Sequence, residues 1–151
     1  MSAFEPQDPN YRDRVAASFA RQKVMALLGM TLARVNPGEV EIIFPFRDNL
    51  TQQHGFIHAG IIATALDSAA GYAAFSLMPT DAAVLTVEYK VNLLAPAKGD
   101  SFRAIAKVVK PGRTITVCQA EAFATDRGKE KLVASLTATV MAVIGRDQLQ
   151  Q

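Results

Sequence analysis

Asp67 has the clearest capacity for chemistry in this sequence, because it is the only charged residue in the apolar stretch 59–77. A carboxylate in apolar surroundings is costly to bury unless it is paired, solvated in a cleft or protonated. Asp67 is therefore either a functional acid or base, or a structural residue bonded to a neighbouring loop. Composition alone favours neither interpretation.

A second candidate site is the segment 54–60, His-Gly-Phe-Ile-His-Ala-Gly, at the start of that apolar stretch. If a helix begins there, His58 lies at its first turn, and the backbone N–H groups near Ala59 and Gly60 lack acceptors within the helix. Such N–H groups favour a developing negative charge. A histidine at a helix start is more often a local hydrogen-bonding residue than a catalyst, so His58 alone does not indicate catalysis.

The spacing of these candidates restricts how they can cooperate. His58 and Asp67 are nine positions apart, which on one helix is a separation of roughly 13 Å. They cannot both contact one reacting atom within a single chain. If they cooperate, one of them must come from another subunit. A two-fold dimer that brings the start of one helix to the middle of its mate would achieve this.

Charge and cysteine content exclude several classes of protein. The 16 Lys and Arg residues nearly balance the 14 Asp and Glu residues, for a formal net charge of +2. That balance argues against a nucleic-acid partner, which needs a basic face or stripe. A single cysteine, Cys118, has no mate for an internal disulfide, and with only two histidines it argues against a structural zinc site.

The stretch 59–77 is apolar enough to be compared with a membrane span, which needs about 20 apolar residues. It is rich in Ala and Gly rather than Leu, and an Asp at the bilayer centre costs roughly 2.5–3.5 kcal/mol. We expect a helix buried in protein, with no membrane partner. Residues 1–10 have neither a basic start nor an apolar run, so we expect no signal peptide and a cytoplasmic protein.

The first part of the chain predicts a helix followed by a hairpin. Asp8 and Pro9 are typical of a helix start, with Asp8 as the N-cap, and a rough apolar stripe continues to Gly29. The turn signal Asn36-Pro37-Gly38 is followed by apolar residues at every second position up to Phe46. These patterns predict an amphipathic helix and two strands before the apolar stretch.

The second half of the chain is almost entirely strand in pattern. Four alternating segments are separated by short turns and would form an antiparallel meander: 86–93, 102–109, 113–125 and 131–144. A helix that is apolar nearly all round must be enclosed. The economical architecture is α+β, with one mostly antiparallel sheet curled around the long helix.

The segment 52–60, Gln-Gln-His-Gly-Phe-Ile-His-Ala-Gly, followed by Leu66-Asp67, resembles the signature of the PaaI-type hotdog-fold acyl-CoA thioesterases. That signature has the pattern H-G-G-x(6)-D, with an amide residue and a glycine upstream. Further similar segments follow in the family's order and spacing: 86–90, 94–99 and 110–114. The resemblance extends over residues 20–143 and rests on the combination of these segments rather than on any one of them.

The resemblance implies a hotdog fold, in which an antiparallel sheet wraps around a long central helix. Residues 1–151 would form a single hotdog domain, with residues 1–28 as an N-terminal extension that contains a helix. Members of this family form homodimers that often pair into homotetramers. The implied substrate is an acyl-CoA, and the implied chemistry needs no metal or organic cofactor.

The resemblance also assigns roles to individual residues. Asp67 would be the general base for water or the nucleophile, and the backbone N–H of Ala59 would polarise the thioester carbonyl. His58 would position that loop. Gln52 would orient a water molecule, and Thr86 would place a hydroxyl beside Asp67.

Two positions differ from the family's pattern, and three others concern substrate binding. Ala59 replaces a glycine, so its N–H remains while its methyl group narrows the passage. Gln52 replaces a residue that is often Asn in relatives.

Gly60 would let a ligand approach the backbone. Lys110 and Arg113 flank a glycine turn where the family binds the CoA nucleotide, and the alternative is that they are solvated hairpin charges.

The leading hypothesis is a homo-oligomeric hydrolase of acyl-CoA thioesters. A hydratase or dehydratase on the same fold is a second enzyme class, but this signature fits such enzymes poorly. The alternative to an enzyme is a non-catalytic acyl-CoA-binding or sensing module, against which the presence of Asp67 argues. Aryl, short-chain and medium-chain acyl groups all stay open at this point.

Overall fold

In the computed structural model, which describes residues 4–146, 148–149 and 151, a six-stranded antiparallel sheet curls around one long helix. The helices are α1 (Tyr11–Arg21), α2 (Lys23–Leu28) and α3 (Ala59–Phe75). The strands are β1 (Thr31–Asn36), β2 (Glu39–Pro45), β3 (Ala82–Leu93), β4 (Ser101–Lys110), β5 (Ile115–Asp126) and β6 (Lys129–Ile144). The predicted α+β hotdog architecture is confirmed.

Helix α3 lies on the concave face of the sheet because nearly its whole circumference is apolar. It packs against β2, β3, β4, β5 and β6, and Leu66, Ala69 and Phe75 have no exposed surface. Alanines on β4, β5 and β6 face it and let the sheet come close to the helix. No helix in the described part of the chain is long and apolar enough to cross a membrane.

The strand order is β1-β2-β4-β5-β6-β3, so the predicted four-strand meander is wrong for its first strand. β3 pairs with β6 instead of β4, because β2 already occupies the other edge of β4. The connection from β3 to β4 runs past the ends of β6 and β5. Leu94 and Ala95 donate backbone hydrogen bonds to the carbonyl of Val133, and Asp100 donates one to Thr125.

The N-terminal helix also differs from its prediction. Asp8 does not cap the helix; its carboxylate accepts the N–H of Asn10 at 2.8 Å and pairs with Arg14 at 3.3 Å. The helix begins at Tyr11 and is broken at Gln22, whose extended backbone (φ −77°, ψ 94°) separates α1 from α2. The predicted end at Gly29 is confirmed by the left-handed conformation of that residue.

Candidate active site

His58 is the N-cap of α3 and fixes the local geometry of the helix start. Its Nδ1 accepts the N–H of Gly60 at 2.9 Å, and its carbonyl accepts the N–H of Ile61 at 2.9 Å. Its own N–H donates to Leu50. Since Nδ1 accepts a hydrogen bond it carries no proton in this arrangement, and His58 positions the turn.

The glycine at position 60 belongs to the same cap. A Cβ at Gly60 would lie 3.1 Å from the His58 Nδ1, which is tighter than an ordinary contact. Glycine therefore lets the histidine ring approach the helix start closely. Gly60 itself is exposed, so its surface is open to a ligand.

Ala59 is the first residue of α3, and its backbone N–H has no acceptor among the residues that the structure describes. The first N–H groups of a helix carry the positive end of the aligned peptide dipoles. Ala59 lines a cavity of about 400 Å³ whose wall also includes Phe56, Ile62 and Leu93. A free donor at the wall of such a cavity can bind the oxygen of a polarised carbonyl group, while the mostly apolar wall contacts an apolar group attached to that carbonyl.

Gln52 lines the same cavity as His58 and Ala59. Its Oε1 accepts the backbone N–H of His54, and its backbone N–H donates to the carbonyl of Phe56 at 2.9 Å. This compact loop holds the Gln52 side chain at the start of α3. The structure therefore places three of the predicted site residues together.

Asp67 lies further along α3, half-buried, and its Oδ1 accepts a hydrogen bond from the Oγ1 of Thr86 at 2.7 Å. Thr86 is placed by a β-bulge in β3. Thr86 pairs with Val140 and Glu88 pairs with Thr139, so Val87 is an extra residue between them. The bulge leaves Thr86 facing α3, whereas Glu88 faces the opposite side and accepts a hydrogen bond from Thr139 at 2.8 Å.

The structure does not bring the two groups of site residues together within one chain. Asp67 and Thr86 line a separate cavity of about 80 Å³, which does not include Ala59 or His58. Its wall includes Gln22 and Ser68, which the sequence analysis did not single out. No local pattern marks Gln22, because its place depends on the break between two helices.

Lys110 and Arg113 lie at the far end of β4 and in the turn that follows it. Both side chains are exposed, and neither has a hydrogen bond or ion pair within the described part of the chain. The turn requires Gly112, because a Cβ there would lie 2.0 Å from the carbonyl oxygen of Ile115. The two cations are thus free to meet an anionic ligand.

Cys118 is a core residue. It has no exposed surface, and its thiol donates to the carbonyl of Ala70 at 3.5 Å. Burial raises the pKa of the Cys118 thiol to about 12, so the thiol stays protonated near neutral pH. Among the described residues, no group of three or more His, Cys, Asp or Glu side chains could hold a metal ion.

Comparisons with known proteins agree with this fold. The model of the thioesterase superfamily matches residues 54–131, just over half of the chain. A crystal structure of a thioesterase family protein from Silicibacter pomeroyi is 58% identical, with a TM-score of 0.89 over 89% of this chain and 99% of that one. The PaaI protein of Escherichia coli shares the fold at 19% identity, with a TM-score of 0.81 over 92% of this chain and 97% of that one.

A curated relative has a more specific name. The medium/long-chain acyl-CoA thioesterase YigI of Escherichia coli is 27% identical over 130 residues, which are 76% of this chain and 81% of that protein. The chain spans about two thirds of the length of the curated relatives that it matches first. The fold, the family model and these relatives thus agree with one another.

Proposed function

The chain belongs to the thioesterase superfamily, a family of thioester-hydrolysing enzymes, and from this premise we propose that it hydrolyses acyl-CoA thioesters to a free acid and CoA. The observation that carries the proposal is the pair of separated half-sites on α3. One is the free N–H of Ala59 at the helix start, and the other is the carboxylate that Thr86 holds in the middle of the helix.

Thioester hydrolysis needs both half-sites at one carbonyl group. The N–H of Ala59 would donate to the carbonyl oxygen and stabilise the negative charge that develops there. Asp67 would act on the other side, either by taking a proton from water or by attacking the carbonyl carbon. Thr86 would orient the carboxylate through its hydrogen bond to Oδ1. Gln52 would orient water at the Ala59 side.

A homodimer would assemble these half-sites, and the edge strand β3 supports such a dimer. β3 is 12 residues long and exposes Leu85, Val87, Tyr89 and Leu93. A long apolar edge strand is a template for pairing with another chain. A two-fold axis beside β3 would extend the sheet across two copies and set their α3 helices side by side. The proposal includes a tetramer formed by two such dimers. It also includes a cytoplasmic location.

The position of the two-fold axis follows from the proposed site. If Ala59 of one subunit faces Asp67 of the other, two antiparallel α3 helices cross midway between these positions. Thr64 lies close to that midpoint on the face of α3 that is not buried in the monomer. Its side chain is short, and its hydroxyl donates to its own helix at the carbonyl of Gly60 at 2.8 Å. Two Thr64 residues would therefore meet near the axis.

Thr64→Glu is expected to convert the dimer into monomers and to abolish thioester hydrolysis, because it brings two like charges together near the axis. Analytical ultracentrifugation and thiol release measure the two effects. Thr31→Glu is the matched control, since Thr31 is exposed at the opposite edge of the sheet, and it should leave both properties unchanged. A fully active Thr64→Glu monomer would contradict the shared site.

The proposed activity is tested by thiol release from a panel of aryl, short-chain, medium-chain and long-chain acyl-CoAs. We expect turnover, with medium and long chains as the first candidates because YigI carries that name. The same acyl groups on N-acetylcysteamine form thioesters that lack the nucleotide. Because Lys110 and Arg113 would bind that nucleotide, KM should be lower for each acyl-CoA than for its N-acetylcysteamine thioester. Tight acyl-CoA binding with no thiol release would support the non-catalytic binding module instead.

A further inference from the structure

The small cavity beside Asp67 has the size and lining of a water site. It measures about 80 Å³, and Gln22, Ser68 and Thr86 line it together with Asp67. A water molecule occupies about 30 Å³ in the liquid and is held inside proteins by two to four polar partners. The cavity offers room for at least two waters and enough polar partners to hold them. An acyl chain would find little apolar surface there.

Gln22 lines this cavity and has a hydrogen-bond donor that no described residue uses. Its Oε1 accepts the hydroxyl of Ser68 at 3.4 Å, which orients the amide group. The NH2 group has no acceptor among the residues that the structure describes. The break between α1 and α2 allows this placement, because the extended backbone of Gln22 brings its side chain against α3.

Asp67 offers a matching acceptor. Its Oδ1 is occupied by the hydroxyl of Thr86, and no donor within the described part of the chain reaches its Oδ2. A water between the Gln22 amide and this oxygen would accept one hydrogen bond and donate another. Its remaining lone pair would stay available for attack.

We propose that Gln22 is a positioning residue that holds the hydrolytic water against Asp67, an inference that rests on the proposed thioesterase function. The water oxygen forms a bond to the thioester carbonyl carbon as one water proton passes to the Oδ2 of Asp67. The tetrahedral adduct then collapses and the C–S bond breaks. Asp67 returns the proton to the departing thiolate, which leaves a free acid and the CoA thiol.

The partition of the acyl group between water and hydroxylamine tests this proposal with the full chain. Hydroxylamine attacks thioesters with little help from a base, so hydroxamate formation measures activation of the carbonyl separately from activation of water. Gln22→Leu removes the donor at similar volume, and Gln22→Glu replaces it with an acceptor while keeping its length. Gln7→Leu is the control, because Gln7 also belongs to the N-terminal segment and donates to a backbone carbonyl, that of Leu77 at 3.1 Å.

Both Gln22 variants should hydrolyse acyl-CoA about tenfold more slowly, with KM unchanged, the scale expected for one lost hydrogen bond to a reacting group. Their ratio of hydroxamate to acid should rise about tenfold, whereas Gln7→Leu should keep the wild-type ratio. An unchanged ratio in folded Gln22 variants would overturn the role of Gln22 and leave the thioesterase function standing. Absence of hydrolysis by the wild type itself would overturn both proposals.

Discussion

Asp67→Asn is expected to lower kcat for thioester hydrolysis by about 100- to 10,000-fold, the range that general-base or general-acid groups contribute. The amide cannot accept a proton from water and is a poor nucleophile. The volume of the amide is almost that of the carboxylate. In the wild type the hydroxyl of Thr86 donates to the Oδ1 of Asp67 at 2.7 Å, and the amide oxygen can still accept this hydrogen bond. The measurement is thiol release with the best acyl-CoA of the panel.

The fold of this variant should be intact, and thermal unfolding checks that expectation. Asp126→Asn is the matched control, because Asp126 is the exposed last residue of β5 and the substitution changes the net charge equally. It should keep wild-type activity. Near-wild-type hydrolysis by Asp67→Asn would remove Asp67 from the chemistry.

Ala59→Pro is expected to lower kcat by about 100- to 1,000-fold, the usual cost of removing one oxyanion donor. Proline removes the backbone N–H but is tolerated at the first position of a helix, where that N–H has no partner in the helix. The preceding residue, His58, already has the extended conformation that proline requires of its neighbour (φ −59°, ψ 137°). The variant should therefore fold normally and lose the donor alone.

Ala59→Gly provides the control for Ala59→Pro. It keeps the N–H and removes only the methyl group, so kcat should stay within a few-fold of the wild type. Steady-state kinetics on all three proteins, with circular dichroism to verify the helix content, separates the donor from the side chain. If Ala59→Pro retained wild-type kcat in a folded protein, the carbonyl would have to be polarised by another group.

The position of the long helix in the sequence could be predicted because it depends on residues that are close together in the chain. The sequence predicted a helix with His58 in its first turn, and α3 begins one residue later, at Ala59, with His58 as its N-cap. The pairing of Asp67 with Thr86 was also expected, but only from the family resemblance. Residue types alone left open whether Asp67 was functional or structural.

Other features could not be predicted because they depend on contacts between distant segments. The bulge at Val87 has no sequence signature, and simple alternation would have placed Thr86 and Glu88 on one face of β3. The pairing of β3 with β6 is decided by β2, which occupies the edge of β4. The position of Gln22 beside Asp67 depends on where α1 ends, which neither a proline nor a glycine marks.

The most direct test of the shared site combines the two inactive variants in one dimer. Asp67→Asn and Ala59→Pro chains, co-expressed with different tags and purified through both, give a mixed dimer. In the proposed dimer one of its two sites lacks both groups, whereas the other has the Ala59 N–H from one chain and the Asp67 carboxylate from the other. The mixed dimer should therefore recover about half of the wild-type kcat per dimer. A mixed dimer as inactive as its parents would show that the two groups do not act together across the subunit boundary.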